Sequence, residues 1–257
     1  MSEQDVPVLT DVNDQLLLIV GYSSTGKSAS LRNIRDQEHW LYLNTESGKK
    51  LPFRNKFSSH TITDPYQVLD AFKAAYTNPV EEIGFKPKGI IVDSLTFLMD
   101  MYESRYVINA ANTMTAWGAF SQFFKELMQL HVPSFDGPVI FTAHVKDELD
   151  EKAMELKTSV PIKGSLKNNG IEAYFSSIVA CKRVLLKELE KMTNGMLDIT
   201  EEEKELGFKH VFQTRLTAKT TGERIRAPMG MFTRQETYID NCAQKLLDHL
   251  HKYYAEA

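Results

Sequence analysis

The chain reads as an α/β protein: a mostly parallel central sheet with helices on both faces, extended by antiparallel strands at its C-terminal edge. Short apolar runs alternate with helical segments from Gln15 to His144, the pattern of parallel strands joined by crossover helices. After Gly170 the apolar runs follow one another closely, which suits antiparallel neighbours. A chain of 257 residues, 42% apolar and 25% charged, can bury one large core. One domain over residues 1–257 is expected, with its core at about 12–232 and a C-terminal helix at 233–254.

The elements follow in order. "QLLLIV" (Gln15 to Val20) is short, apolar and closed by glycine, so it is a buried strand. "KSASLRNIRD" continues as a helix, and "WLYLN" (Trp40 to Asn44) is the second strand. In "DPYQVLDAFKAAY" Asp64 is the expected N-cap, with Pro65 at the first helical position. "KGIIVDS" is the third strand, and "PVIFTAH" the fourth after two helical segments. "IEAYFSSIVACKRVLL" holds a fifth strand and "HVFQTRLTAK" a sixth, with the acidic "DITEEEKELGF" between them read as a solvated insertion carrying a short helix. The last helix is expected to start at the capping box Thr233–Glu236, with Ile239, Cys242, Leu246, Leu250 and Tyr253 on its apolar face.

Bulk properties narrow the setting. No stretch has the roughly 18 apolar residues of a membrane span, so no membrane partner is expected. The N-terminus is acidic and polar, unlike a signal peptide. Two cysteines, Cys181 and Cys242, form neither a disulfide framework nor a four-cysteine zinc site, and a reducing cytoplasm fits them. A net charge of −4 confines any polyanion site to a local patch.

The chemistry concentrates after the first strand, in "GYSSTGKS". Gly21-x-x-x-x-Gly26-Lys27-Ser28 is the P-loop pattern. Its glycines let backbone N–H groups turn toward phosphate oxygens, Lys27 reaches the outer phosphates, and the Ser28 hydroxyl suits Mg²⁺. The expected cradle is Gly21, Tyr22, Ser23, Ser24, Thr25, Gly26, Lys27, Ser28 and Ala29. Asp93 ends the "GIIVDS" strand and is the matching metal-side carboxylate. Hydrolysis further needs a group that handles water. Residue 94 is serine, so the candidate is Glu46, just past the second strand and therefore on the same sheet edge. Thr142 and His144, on the fourth strand, are both placed to contact a γ-phosphate and report its loss.

This order of parts resembles the RecA-type P-loop ATPase core, and most of all the compact phage RecA-like proteins of recombination and single-strand annealing. The resemblance covers about residues 12–232. The Glu46 placement and the "VDS" ending favour it over AAA+ proteins. It implies ATP and Mg²⁺ as cofactors, Glu46 as activator of water, and His144 as sensor of the γ-phosphate. It also implies self-assembly into a filament or ring, in which a neighbour's cations complete the site. "QTRLTAKTTGERIRAPMG" offers Arg215, Lys219, Arg224 and Arg226, of which Lys219 and Arg224 flank the turn and are preferred.

In such proteins two mobile loops meet DNA. Here they would be Ile108 to Gly118 and the long, structureless Val145 to Gly170. Lys157, Lys163 and Lys167 in the second suit single-stranded DNA phosphates. The resemblance therefore implies DNA-stimulated ATP hydrolysis in the host cytoplasm, with single-stranded DNA, further copies of the chain and a single-strand-binding protein as partners. Two other readings remain: a nucleotide-gated loader of a helicase or annealing protein, and a P-loop phosphotransferase such as a nucleoside kinase.

Overall fold

The computed structural model describes residues 13–152, 154–168 and 170–255. The acidic N-terminal residues 1–12 and residues 256–257 of the expected domain lie outside them. The strands are β1 (Leu16–Gly21), β2 (Trp40–Asn44), β3 (Ser58–Thr61), β4 (Gly89–Asp93), β5 (Val139–His144), β6 (Lys146–Asp150), β7 (Glu155–Ser159), β8 (Ser177–Leu185), β9 (Phe208–Gln213) and β10 (Tyr238–Asp240). Eight of them form one sheet in the order β10-β9-β8-β1-β5-β4-β2-β3, while β6 and β7 pair as a separate hairpin. The run from β8 to β3 is parallel; β9 and β10 are antiparallel to their neighbours. The expected α/β architecture is present.

The two-residue period of a strand divides β1 between two cores. Leu16, Leu18 and Val20 pack on one face, Leu17 and Ile19 on the other. The first face is covered by α1 (Tyr66–Thr77), then, beyond the short α2 (Pro79–Glu82), by α3 (Leu95–Tyr102) and α4 (Thr113–Glu126), through Phe72, Leu98, Phe120 and Phe124. Three short helices follow: α5 (Val132–Ser134), α6 (Leu186–Leu189) and α7 (Glu201–Leu206). The second face is covered by α8 (Ala243–Ala255), which buries Leu246 and Leu250 completely. Full burial of such a leucine stabilises the fold by roughly 2 kcal/mol. Among the described residues no helix is long and apolar enough to cross a membrane.

Four local expectations are corrected, and one strand is added. The segment after the P-loop is a 3₁₀ helix, Ser28–Asn33, rather than a helix reaching Asp36. Polar Ser58–Thr61 is an edge strand, added to β2 by backbone pairing with its side chains mostly exposed. Asn112 caps α4 by accepting the Thr115 N–H at 3.1 Å, so the second half of the first candidate loop is helical. The second candidate loop is not structureless, because β6 and β7 pair along five positions. The Thr233–Glu236 capping box forms, but around a 3₁₀ turn that leads into β10; α8 starts only at Ala243. Ile239 and Cys242 therefore reach the same core from β10 and from the turn after it.

Candidate active site

Parallel strands deliver their C-terminal ends to one edge of the sheet, and the P-loop, Glu46, Asp93 and His144 meet there. Gly21 lies in register with His144, and Asn44 with Asp93. The P-loop turns at Ser24 (φ 61°) and Gly26 (φ 102°), and at Gly26 an added Cβ would stand 2.5 Å from the Asn241 side chain. The loop borders a cleft of about 830 Å³.

Lys27 is buried, and its ammonium donates to the Gly21 carbonyl at 2.9 Å and the Tyr22 carbonyl at 2.8 Å. Burial lowers its pKa, while Asp93 and Glu46 act in the opposite direction. Its Nζ also lies 3.4 Å from His144 Nδ1. An ammonium has only protons to give, so that nitrogen accepts, and the Nε2–H of the same ring faces Glu46 Oε1 at 3.5 Å. Lys27, His144 and Glu46 thus form one polar chain across the mouth of the P-loop. The hydrogen bond with His144, then Lys49 at 3.1 Å, holds the Glu46 carboxyl down at about 2 against the opposing effect of burial. The Glu46 backbone is fixed as well, since its N–H donates to Asn44 Oδ1 at 2.9 Å.

Asp93 is 2% exposed and accepts three hydroxyls: Ser28 at 2.9 Å, Tyr42 at 2.8 Å, and Thr142. Burial, followed by Asp93, pushes the Tyr42 phenol far above its ordinary pKa, so it stays a donor. A serine hydroxyl beside a carboxylate is a set of hard oxygen donors, and Mg²⁺ takes such donors together with water and phosphate oxygens. Ser28 and Asp93 therefore fit the ion, which at that position would offset charge on the outer phosphates.

Two residues without a local sequence signal complete the site. His210 on β9 lies 2.8 Å from the Thr25 carbonyl, and Asn241, just after β10, donates to the Gly26 carbonyl at 3.2 Å. The antiparallel edge therefore clamps the phosphate loop. On the other side, Tyr22 donates to Asp147 at 2.5 Å, tying the P-loop to the β6–β7 hairpin.

The remaining candidates lie elsewhere. Lys157 and Lys167 share a second groove of about 470 Å³ with Lys146, Arg224 and Arg226. Lys157 is paired with Asp150. Lys163 stands apart, paired with Asp100 at 3.2 Å and with Glu103. Lys219 is exposed and paired with Glu188 at 3.0 Å. The groove exists because β7 docks on the turn that carries Arg224: the Thr158 N–H donates to the Gly222 carbonyl at 3.0 Å. Only glycine fits at residue 222, where a Cβ would come within 2.0 Å of the Leu156 carbonyl.

No curated protein matches the chain. A family model described as an AAA domain matches residues 13–220, a span that takes in the P-loop, Glu46, Asp93, His144 and His210. With that match over most of its length, the chain belongs to the AAA domain family of P-loop ATPases.

Proposed function

We propose that this protein is a Mg²⁺-ATP-dependent, RecA-like ATPase that binds single-stranded DNA, assembles with further copies of itself, and supports annealing or recombination in the cytoplasm. The observation that carries the reading is the chain Lys27–His144–Glu46 beside the Ser28–Asp93 pair. Lys27 exchanges its backbone carbonyl partners for phosphate oxygens when a triphosphate enters. His144, touching both Lys27 and Glu46, registers whether the γ-phosphate is present. Glu46, ionised at neutral pH, orients the attacking water and accepts its hydrogen bond.

DNA is assigned to the second groove, where five cations (Lys146, Lys157, Lys167, Arg224 and Arg226) face three carboxylates (Glu148, Glu172 and Glu223). Lys219 does not line the P-loop cleft of its own chain, the placement required of a cation given to a second copy, while Arg224, the other candidate for that role, lies in the second groove. The test is ATP turnover with and without a single-stranded oligonucleotide, for wild type and Glu46→Gln. DNA-stimulated turnover that the variant loses supports the reading. Slow turnover indifferent to DNA assigns the loader role instead, and γ-phosphate transfer to an added nucleoside assigns a kinase.

A further inference from the structure

The cleft continues well past the phosphate loop. From Lys27 and Ser28 it runs along His210 and Phe208 to Leu206, Thr200 and Glu202, in the acidic segment that reads from sequence as a solvated insertion. β9 sets this order. Residues two apart share a strand face, so Phe208 stands about 7 Å beyond His210 on the same side. The two rings meet edge to face with centroids 5.9 Å apart. His210 is anchored at the phosphate end by the Thr25 carbonyl. The wall is thus cationic at the P-loop, aromatic and apolar in the middle, and acidic at the far end.

Most of the far-end carboxylates are used within the wall itself. Lys209 pairs with Glu203 at 2.6 Å and Asp240 at 3.2 Å, and Lys245 with Asp198 at 2.7 Å and Asp240 at 2.6 Å. Glu202 borders the cleft, is exposed, and has no ion-pair partner among the described residues. Asn241, 4% exposed, also lines the cleft; its amide nitrogen is committed to the Gly26 carbonyl, and its side-chain oxygen has no hydrogen-bond partner among the described residues. The acidic far end around Glu202 repels phosphate and suits an uncharged flat group that brings hydrogen-bond donors. A nucleotide has this order of parts: an anionic tail, then a sugar and ring bearing hydroxyls and amines. The volume of about 830 Å³ falls within the range of small-molecule sites.

We infer that the outer half of the cleft is a nucleoside pocket in which Phe208 is the stacking wall and Glu202 accepts a donor from the sugar or the ring, so that the acidic insertion sets nucleotide selectivity. The inference rests on the nucleotide-site reading above. It is tested by the Mg²⁺-dependent binding of ATP, 2′-deoxy-ATP, inosine triphosphate and inorganic tripolyphosphate to wild type, Phe208→Leu, Phe208→Trp and Glu202→Gln. Phe208→Leu should weaken ATP about tenfold, the scale of one lost base–aromatic stack, and leave tripolyphosphate unchanged. Phe208→Trp should keep ATP affinity. Glu202→Gln, which keeps only a neutral acceptor, should reduce wild-type discrimination against 2′-deoxy-ATP if the donor is the sugar hydroxyl, or against inosine triphosphate if it is the ring amine. Equal ATP and tripolyphosphate losses in Phe208→Leu, or wild-type behaviour of both Phe208→Leu and Glu202→Gln, would overturn the pocket. Failure of the underlying site looks different: wild type would bind none of the four, or Lys27→Ala would bind them as tightly as wild type.

Discussion

Lys27 and Glu46 are the residues on which the chemistry depends most directly, and each separates two effects. Lys27→Ala removes the buried cation from among the Gly21 and Tyr22 carbonyls, a change at the ligand face of the loop rather than in the apolar core. The variant should keep its circular dichroism spectrum and lose Mg²⁺-ATP binding in calorimetry; unchanged affinity would refute the phosphate role. Glu46→Gln should still bind ATP while turnover falls roughly 10²-fold. It also has a pH signature. The Glu46 carboxyl is held at about 2 against an ordinary 4.5, so its folded-state pKa is depressed. A depressed carboxylate contributes stability that is present above its unfolded value and lost as pH falls through the folded one. The melting-temperature gap between wild type and Glu46→Gln should therefore be widest near neutral pH and close between about pH 4.5 and pH 2. A gap that ignores pH would mean the hydrogen bond with His144 and the ion pair with Lys49 contribute nothing. Lys27 was legible in the sequence through the P-loop pattern, and Glu46 because it follows a recognisable apolar strand. His210 and Asn241 were not, because a lone polar residue that clamps a loop some 185 or 215 positions away leaves no local pattern.

Elements were legible where packing buries a continuous apolar run and obscure where backbone pairing alone holds them. β1, β2, β4 and β5 are nearly continuous apolar runs buried on both faces. β3 and β6 carry mostly exposed polar side chains, so neither alternation nor hydrophobicity marks them. The β6–β7 hairpin also changes the expected DNA surface, because it brings Lys157 to Lys167 and Arg224 and leaves Lys163 against α3. Double replacement Lys157→Ala/Lys167→Ala should weaken oligonucleotide binding and lower the log–log salt slope by about 1.4, roughly 0.7 for each lost phosphate contact on a single strand. Lys163→Ala should leave the slope as in wild type. Parallel salt titrations for the double variant and wild type would remove DNA from this groove. The hairpin is latched to the P-loop through Tyr22 and Asp147, which also accepts from Thr158 at 2.7 Å. Tyr22→Phe removes one such bond, worth on the order of 1 kcal/mol. Hydrogen exchange should rise across 146–159 and stay unchanged in β1; equal protection in both proteins would show that the latch holds nothing.

At the scale of the molecule, one sheet serves two cores, and this makes its cooperativity testable. β1 gives Leu18 to one face and Ile19 to the other, so neither core can dissolve without exposing the strand that carries the P-loop. The chain has two tryptophans, and they fall on opposite sides of this division. Trp40 is buried in the core that α8 covers, while Trp117 packs against the core beneath α4. Trp40→Phe and Trp117→Phe therefore leave one fluorescent reporter for each face. Urea unfolding followed through either reporter should coincide with the loss of helical signal, as in a two-state transition. Leu246→Ala, made in both backgrounds, opens a cavity under α8 where the wild-type side chain is fully buried. It should cost about 3 kcal/mol and lower both midpoints equally, although Trp117 lies on the far face. Mg²⁺-ATP at 100 times its dissociation constant should then restore about 2.7 kcal/mol to both reporters, and nothing once Lys27→Ala is added. If Leu246→Ala shifts the Trp40 transition and leaves that of Trp117 in place, the two faces unfold separately, and the sheet does not couple α8 to the phosphate site.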